Sequence, residues 1–410
     1  MADRPRSRPS RRRRKIIPLI VLGLAMACAL LIAEVGLRVV GFSYPITTQG
    51  DAWCGYGFVP NSQWTHTREG HSQVTINAFG FRDDPWTIEK PAGVTRIAVL
   101  GDSFIAGLEV EKPQRFTEVL SQQLNAASRS DAAVGQTVYE VMNFGQPGFG
   151  TAQELMVLRH KVWQFQPDMV LLAMFTGNDI RNNSRQLEAE PMLPYFDLTD
   201  EGLRLDESYR DQQRGLPVRI VKTLAPYSRL LQLVYRSFHS LTREPPPDDP
   251  RDLALRTDYG LYAPLAEALI YQEPTDDAWR QAWQTTEALV AEFQRECHDH
   301  NAQLRVITLS NDMQVHTDPQ LRSRLEQLTP IDDWFYPDQR IAACCQQHDI
   351  PALNLAAELQ RYAAEHRLAL HGFDNTRLGV GHWNADGHRV AAEKVAAWLS
   401  EPQPPNDTEP

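Results

Sequence analysis

Hydrophobic and polar positions are distributed very unevenly at the start of the chain. The first fifteen residues, MADRPRSRPSRRRRK, are densely basic, and Ile16–Ala33 (IIPLIVLGLAMACALLIA) then runs without a charge. An apolar run of about eighteen residues is just long enough to cross a hydrocarbon core as a helix, and arginines directly before it hold that end in the cytoplasm. The expectation is a basic cytoplasmic segment at 1–15 and a transmembrane anchor at 16–36, with the remainder in the periplasm or its equivalent. Signal-peptide cleavage needs a small-x-small site followed by polar sequence, whereas EVGLRVVGF stays largely apolar past Glu34. A lipid-anchored reading would use Cys28, but Ala25, Met26 and Ala27 precede it and apolar sequence continues beyond it. A twin-arginine signal would carry an aromatic residue that SRRRRKII lacks.

Past a turn-rich lead-in at 37–93, with a strand-like QVTIN, the periodicity changes. RIAVLGDS (Arg96–Ser103) is a short apolar run that stops abruptly at Gly and Asp, as a buried parallel strand does where it meets a loop. A helical pattern follows in FTEVLSQQLNAAS. The theme repeats as strand YEVMNFG, helix TAQELMVLRHKVWQF and strand DMVLLAMF. Later come an amphipathic helix near 277–298, strand QLRVITLS, a helix around Cys344, a short strand ALNL and a last helix near 385–399. Such alternation predicts an α/β domain over 94–400, a doubly wound parallel sheet with helices on both faces and functional groups at the carboxyl ends of its strands. Residues 185–275 break the alternation with helical runs (VKTLAPYSRLLQLVYRSF) and the spacer EPPPDDP, and read as an insertion serving as a lid or a membrane-surface contact. The tail at 401–410 is too polar and proline-rich to fold.

Composition narrows the partners. With 42% hydrophobic residues the chain can bury a large core, and its net charge of −11 understates how acidic everything beyond the basic start is. Such a surface repels phosphates, so nucleic acid is not an expected partner. Nothing in the Cys and His spacing suggests a metal. Outside the cytoplasm, Cys297 could pair with Cys344 or Cys345, which are unsuited to bond each other; the other reading is that these are small buried residues on amphipathic helices.

Three strand ends carry candidate chemistry. Ser103 in GDSF follows the first strand and enters a helix, where backbone N–H groups face an oxyanion. Gly148 in NFGQPGFG can bring its N–H to an ester oxygen, and Asn178 in FTGND can donate a side-chain N–H. Each alone is an ordinary cap or turn. In sequence order on successive strand ends they converge on one crevice. A base is supplied by GVGHWNADGHRVAAEKVAAWL, where His382 precedes the last helix and His388 lies within it as a structural residue.

With these four blocks the chain resembles the SGNH (GDSL-type) hydrolases, from about Asn77 onward, in the membrane-anchored bacterial form. The resemblance implies a flavodoxin-like three-layer sandwich. It also implies Ser103 as nucleophile, His382 as base, and an oxyanion hole from the Ser103 N–H, Gly148 and Asn178, without a cofactor. The implied substrates are acetyl esters of envelope or exported polysaccharide, cleaved by water or transferred to a hydroxyl. One departure stands out: the aspartate expected three residues before the histidine is Gly379. Asp374, in HGFDNTRLGVGHW, can reach the imidazole if its loop folds back; the rival is a dyad oriented by a carbonyl or water. A catalytically weak glycan-binding or assembly protein and a lipase or phospholipase are the alternative functions.

Overall fold

The computed structural model describes residues 11–41, 47–130, 137–188, 190–213, 228–242, 268–329 and 331–401. They fall into two compact units, 1–47 with 214–245 and 48–213 with 246–410.

The first unit is built on the helix Arg11–Val39, within which Ile17–Val39 forms a 23-residue apolar span. Length and composition suit a membrane crossing, and a signal sequence has the same character. Near its end, Glu34 accepts hydrogen bonds from the backbone N–H groups of Arg229 and Leu230, both at 3.0 Å, and from the Ser228 hydroxyl at 2.9 Å. The two N–H groups belong to the first turn of the helix Arg229–Thr242, so one helix caps the other. The expected insertion is therefore divided. The antiparallel hairpin Tyr195–Thr199/Gly202–Asp206 and the short helix Tyr209–Gln213 belong to the second unit, while Arg229–Thr242 belongs with the first. The EPPPDDP spacer and residues 402–410 lie outside the described residues.

The second unit holds a parallel sheet of five strands: β1 Val94–Gly101, β2 Val138–Asn143, β3 Met169–Phe175, β4 Gln303–Leu309 and β5 Ala352–Asn354. Their spatial order is β5-β4-β3-β1-β2. All four pairings are parallel, as the sequence pattern requires. From β1 the sheet grows one way to β2 and the other way through β3, so the order reverses between them. A crevice opens at that point, at the carboxyl ends of β1 and β3.

Successive strand residues point to opposite faces, which explains why Ile97–Leu100 in β1 and Val170–Met174 in β3 are apolar and buried residue after residue. Ile97, Val99, Leu171, Ala173, Ile307 and Leu309 pack under the helices Phe116–Ser130, Leu355–His366 and Ala385–Ser400. Ala98, Leu100, Val170, Leu172 and Val306 pack under Thr151–Val157, Asp277–Asp299 and Tyr336–Gln347. The result is three layers, helix on sheet on helix.

The cysteine pairing is not made. Cys297, Cys344 and Cys345 are separate free thiols, all buried in the second of these cores. They act as small apolar filling; the only partner of the Cys344 thiol among the described hydrogen bonds is the Glu287 carbonyl at 3.8 Å.

One buried cation ties the lead-in to the sheet. The Arg96 side chain, fully enclosed at the start of β1, donates to the carbonyls of Thr87, Phe165, Ile88 and Glu89 and pairs with Glu140 of β2 at 2.6 Å.

Candidate active site

Gly101 ends β1, and Asp102 caps the short helix Ser103–Ala106 by accepting from the Phe104 N–H at 2.9 Å. Ser103 is thereby presented at the crevice. On the far side the chain returns through an isolated bridge between His371 and Trp383, and Asn384 caps the last helix by accepting from the N–H groups of Asp386 and Gly387. His382 directly precedes the bridge residue Trp383 and the cap, and its carbonyl accepts the Gly372 N–H at 2.9 Å. Its Nε2 lies 2.8 Å from Ser103 Oγ, and its Nδ1 lies 2.7 Å from Glu69 Oε2. The other Glu69 oxygen accepts the His382 backbone N–H at 2.8 Å, so one carboxylate fixes both ring and main chain.

Asp374 does not fill this place: it is exposed on the loop, and the imidazole is served by Glu69. The loop's glycines explain why. Gly379 has φ +88°, and a Cβ there would meet the His316 ring at 2.6 Å, so no aspartate fits. At Gly381, φ is +97° and a Cβ would come within 2.1 Å of Glu69 Oε1. Bare backbone at 381 is what admits Glu69. The residue beside Asp374 does fold back: Asn375 accepts from the Gly70 N–H and donates to the Gly70 carbonyl, both at 2.9 Å. This clamp holds the tip of the hairpin Gln63–His66/Ser72–Thr75, where Glu69 resides.

Asn178 follows β3, and its Nδ2 lies 3.4 Å from Asp102 Oδ2, which places it beside the nucleophile turn. Gly148 has φ +77°, and a Cβ there would lie 2.8 Å from the Tyr56 hydroxyl, which donates to the Pro147 carbonyl at 2.9 Å. A Cβ on Gly145 would meet the Ala106 nitrogen at 2.3 Å, so the segment after β2 passes directly against the serine's helix. The predicted Ser103, Asn178 and His382 thus gather at one crevice, with Gly148 on the loop beside it. His388 lies behind them, accepting from the Phe116 N–H at 3.2 Å.

The charges are unequal. Burial alone would lower the His382 pKa, but the Glu109 charge, the hydrogen bond to Glu69 and the Asp102 charge outweigh it and raise it to about 10. Glu69, despite a desolvation that works the other way, is held below the usual carboxylate range by that same imidazole. Glu109 and Asp102 are pushed up by burial, and burial lowers His371 and His388 to about 3. Asp179 and Glu154 are both raised well above their ordinary range, Asp179 by burial and the charges of Glu154 and Asp102, Glu154 by burial and the charge of Asp102. Neither Glu154 oxygen has a hydrogen-bond partner. A carboxyl that must shed its buried proton penalises the fold increasingly as pH rises above its unfolded value. Glu154→Gln is therefore expected to raise the melting temperature at pH 8 and to leave it nearly unchanged at pH 4.5, as thermal denaturation at the two pH values will show.

The ligand atoms of Glu69, Glu109 and His382 all lie within 4.8 Å of one another, a spacing a divalent cation also uses. Here both ring nitrogens are engaged in hydrogen bonds, to a carboxylate and to the serine, which is how a base is held.

The central parallel five-stranded sheet with flanking helices fits the α/β fold that the resemblance to SGNH hydrolases implies. A scan against protein-family models gives no match, and neither does a search of curated proteins. Solved structures similar to the chain include the acetyl xylan esterase AlAXEase, at 11% identity and TM-score 0.36, covering 74% of this chain and 99% of that one. A lipase/acylhydrolase from Enterococcus faecalis gives 14% identity and TM-score 0.34 over 74% and 95%. A catalytic mutant of an acetylxylan esterase from Geobacillus stearothermophilus gives 10% and 0.36 over 75% and 94%.

Glu69 and Glu109 were not among the residues the sequence singled out. Glu69 stands in THTREGHSQ, which reads as a solvated hairpin tip, and Glu109 follows the GDSF block in LEVEKP without periodicity to mark it.

Proposed function

We propose that the protein is a serine esterase working by double displacement, with Ser103, His382 and Glu69 as its triad. The observation that carries this reading is the unbroken line from Ser103 Oγ to His382 Nε2 at 2.8 Å and from Nδ1 to Glu69 at 2.7 Å. Nδ1–H donates to the carboxylate, leaving Nε2 to accept the serine proton. Ser103 Oγ then bonds to the ester carbonyl carbon, and the carbonyl oxygen becomes an oxyanion received by the Ser103 N–H, the Gly148 N–H and the Asn178 side chain. Collapse expels the alkoxide, which takes the proton from His382. Water, or an acceptor hydroxyl, then gives its proton to His382 and bonds to the acyl carbon; collapse breaks the bond to Ser103 Oγ, which takes that proton back from His382 as the acid or the new ester departs.

The resemblance to anchored SGNH proteins points to acetyl esters on envelope or exported polysaccharide as substrates. The apolar span behind a basic block supports a single-pass inner-membrane protein with its catalytic unit outside the cytoplasm. A fluorophosphonate probe should label the full-length protein in detergent at Ser103, and Ser103→Ala should abolish the adduct. Absence of labelling in folded protein from pH 6 to 11 would overturn the esterase reading in favour of a binding module. Comparing acetyl with long-chain esters separates a polysaccharide deacetylase from a lipase.

A further inference from the structure

Glu69 does not stand alone. Glu109 is only 5% exposed, its Oε1 lies 3.9 Å from His382 Nδ1, and its Oε2 has no hydrogen-bond partner. A buried acid kept for packing alone normally has both oxygens satisfied. This one is held in place through its neighbours. Ser72 Oγ donates to the Leu108 carbonyl, Arg82 Nη2 donates to the Val110 carbonyl at 2.8 Å, and the hairpin tip presses so closely that a Cβ on Gly70 would meet the Glu109 carbonyl at 2.2 Å. The backbone is thus pinned on both sides of a carboxylate beside the imidazole edge that Glu69 occupies.

Resting on the esterase reading of this site, we propose that Glu109 is a second carboxylate of the charge system, a positioning residue that stabilises the imidazolium form of His382 and sets the pH at which that base becomes free. A carboxylate within ~4 Å of an imidazole favours its charged form strongly in a desolvated site. Two consequences oppose each other. The imidazolium formed when Ser103 loses its proton is better stabilised, which accelerates the step. The same stabilisation keeps His382 protonated in the resting enzyme to higher pH, which withholds the base. The surrounding groups leave this role to the carboxylates. His66 from the hairpin, His371 from the bridge and His388 from the last helix are each shifted by burial toward the neutral form. Arg82 lies on the far side, acting on Glu109 and His388, and Asp102 is buried beneath the serine. Glu69 is committed to the hydrogen bond.

The test uses the full-length protein in detergent and follows the rate of fluorophosphonate inactivation from pH 5 to 11. Wild type should show a single alkaline midpoint. In Glu109→Gln that midpoint should fall by about one pH unit or more, with a plateau about three- to tenfold lower, a split that simple structural damage does not produce. An unchanged midpoint with a uniformly lower rate overturns the proposal. Should Glu109→Gln fail to fold, Glu109→Asp draws the charge back by one methylene; an intermediate midpoint is expected, and an unshifted one is fatal. If wild type reacts at no pH, the esterase reading falls by itself. Carbon-13 NMR titration of the His382 ring in wild type and the variants then decides on Glu109 separately, because a charge beside the imidazole must move that titration whether or not the serine reacts.

Discussion

Glu69→Gln is expected to lower kcat on p-nitrophenyl acetate by about three to four orders of magnitude, with KM and melting temperature little changed. The reason lies in the double hold on His382. Both Glu69 oxygens accept, one from the ring and one from the backbone N–H. Glutamine has a single acceptor. If its oxygen stays with the backbone N–H, its amide hydrogens face Nδ1 and force the ring proton onto Nε2, where it points at Ser103 and cannot take a proton from it. If the amide turns over, two donors confront each other at the His382 nitrogen. That clash at the backbone N–H disfavours the turned-over amide, which alone would keep the proton on Nδ1; the first arrangement leaves a serine without its base, worth about 4–5.5 kcal/mol of barrier for that loss in rate. Asp374→Asn, on the exposed loop, should leave kcat within about twofold, the ordinary outcome of a surface change away from the chemistry. A fall of less than tenfold in the glutamine variant would remove Glu69 from the triad.

The largest loss of stability is expected from Arg96→Met, about 3–5 kcal/mol, since a fully buried donor to several carbonyls is removed together with its ion pair to the part-exposed Glu140. The carbonyls of Thr87, Ile88, Glu89 and Phe165 lose their donor together, at the seam where the lead-in meets β1. Methionine fills the volume of the stem but satisfies none of these oxygens. For a unit spanning 48–213 and 246–410, an unfolding entropy of about 2.1 cal/mol/K per residue makes the expected drop in melting temperature about 4–7 °C. Arg204, paired at 3.2 Å with Asp197 where both side chains are mostly exposed, is the control, and its replacement by methionine should shift nothing measurable. Equal melting temperatures for the Arg96 variant and wild type would show that the lead-in is not fastened through this side chain.

Much of this architecture could be read from the chain beforehand, for reasons that differ by element. The central strands were legible because both their faces are buried, which writes the apolar runs IAVLG in β1 and MVLLAMF in β3. Ser103 and Asn178 were legible because each follows a strand whose end was already marked, and His382 because it stands just before a helix whose start was marked. Glu69 was not, since its work is done across 313 residues of sequence and nothing local distinguishes it from a polar turn. The disulfide failed for a simpler reason. Cys297 and Cys345 lie buried in a core where a thiol serves as a small apolar group, and cysteine spacing carries no record of that packing.

Because the acid arrives from a hairpin that precedes the sheet, the working unit is longer than the sheet domain. A fragment trimmed to begin at Val94 would keep the nucleophile and the histidine and lose what aims them. Equally, a missing aspartate beside the histidine is not by itself a mark of a dead enzyme. Among distant relatives with glycine at the positions of Gly379 and Gly381, the place to look for the third residue is the tip of an upstream hairpin, in a part of the chain that motif comparison ordinarily discards.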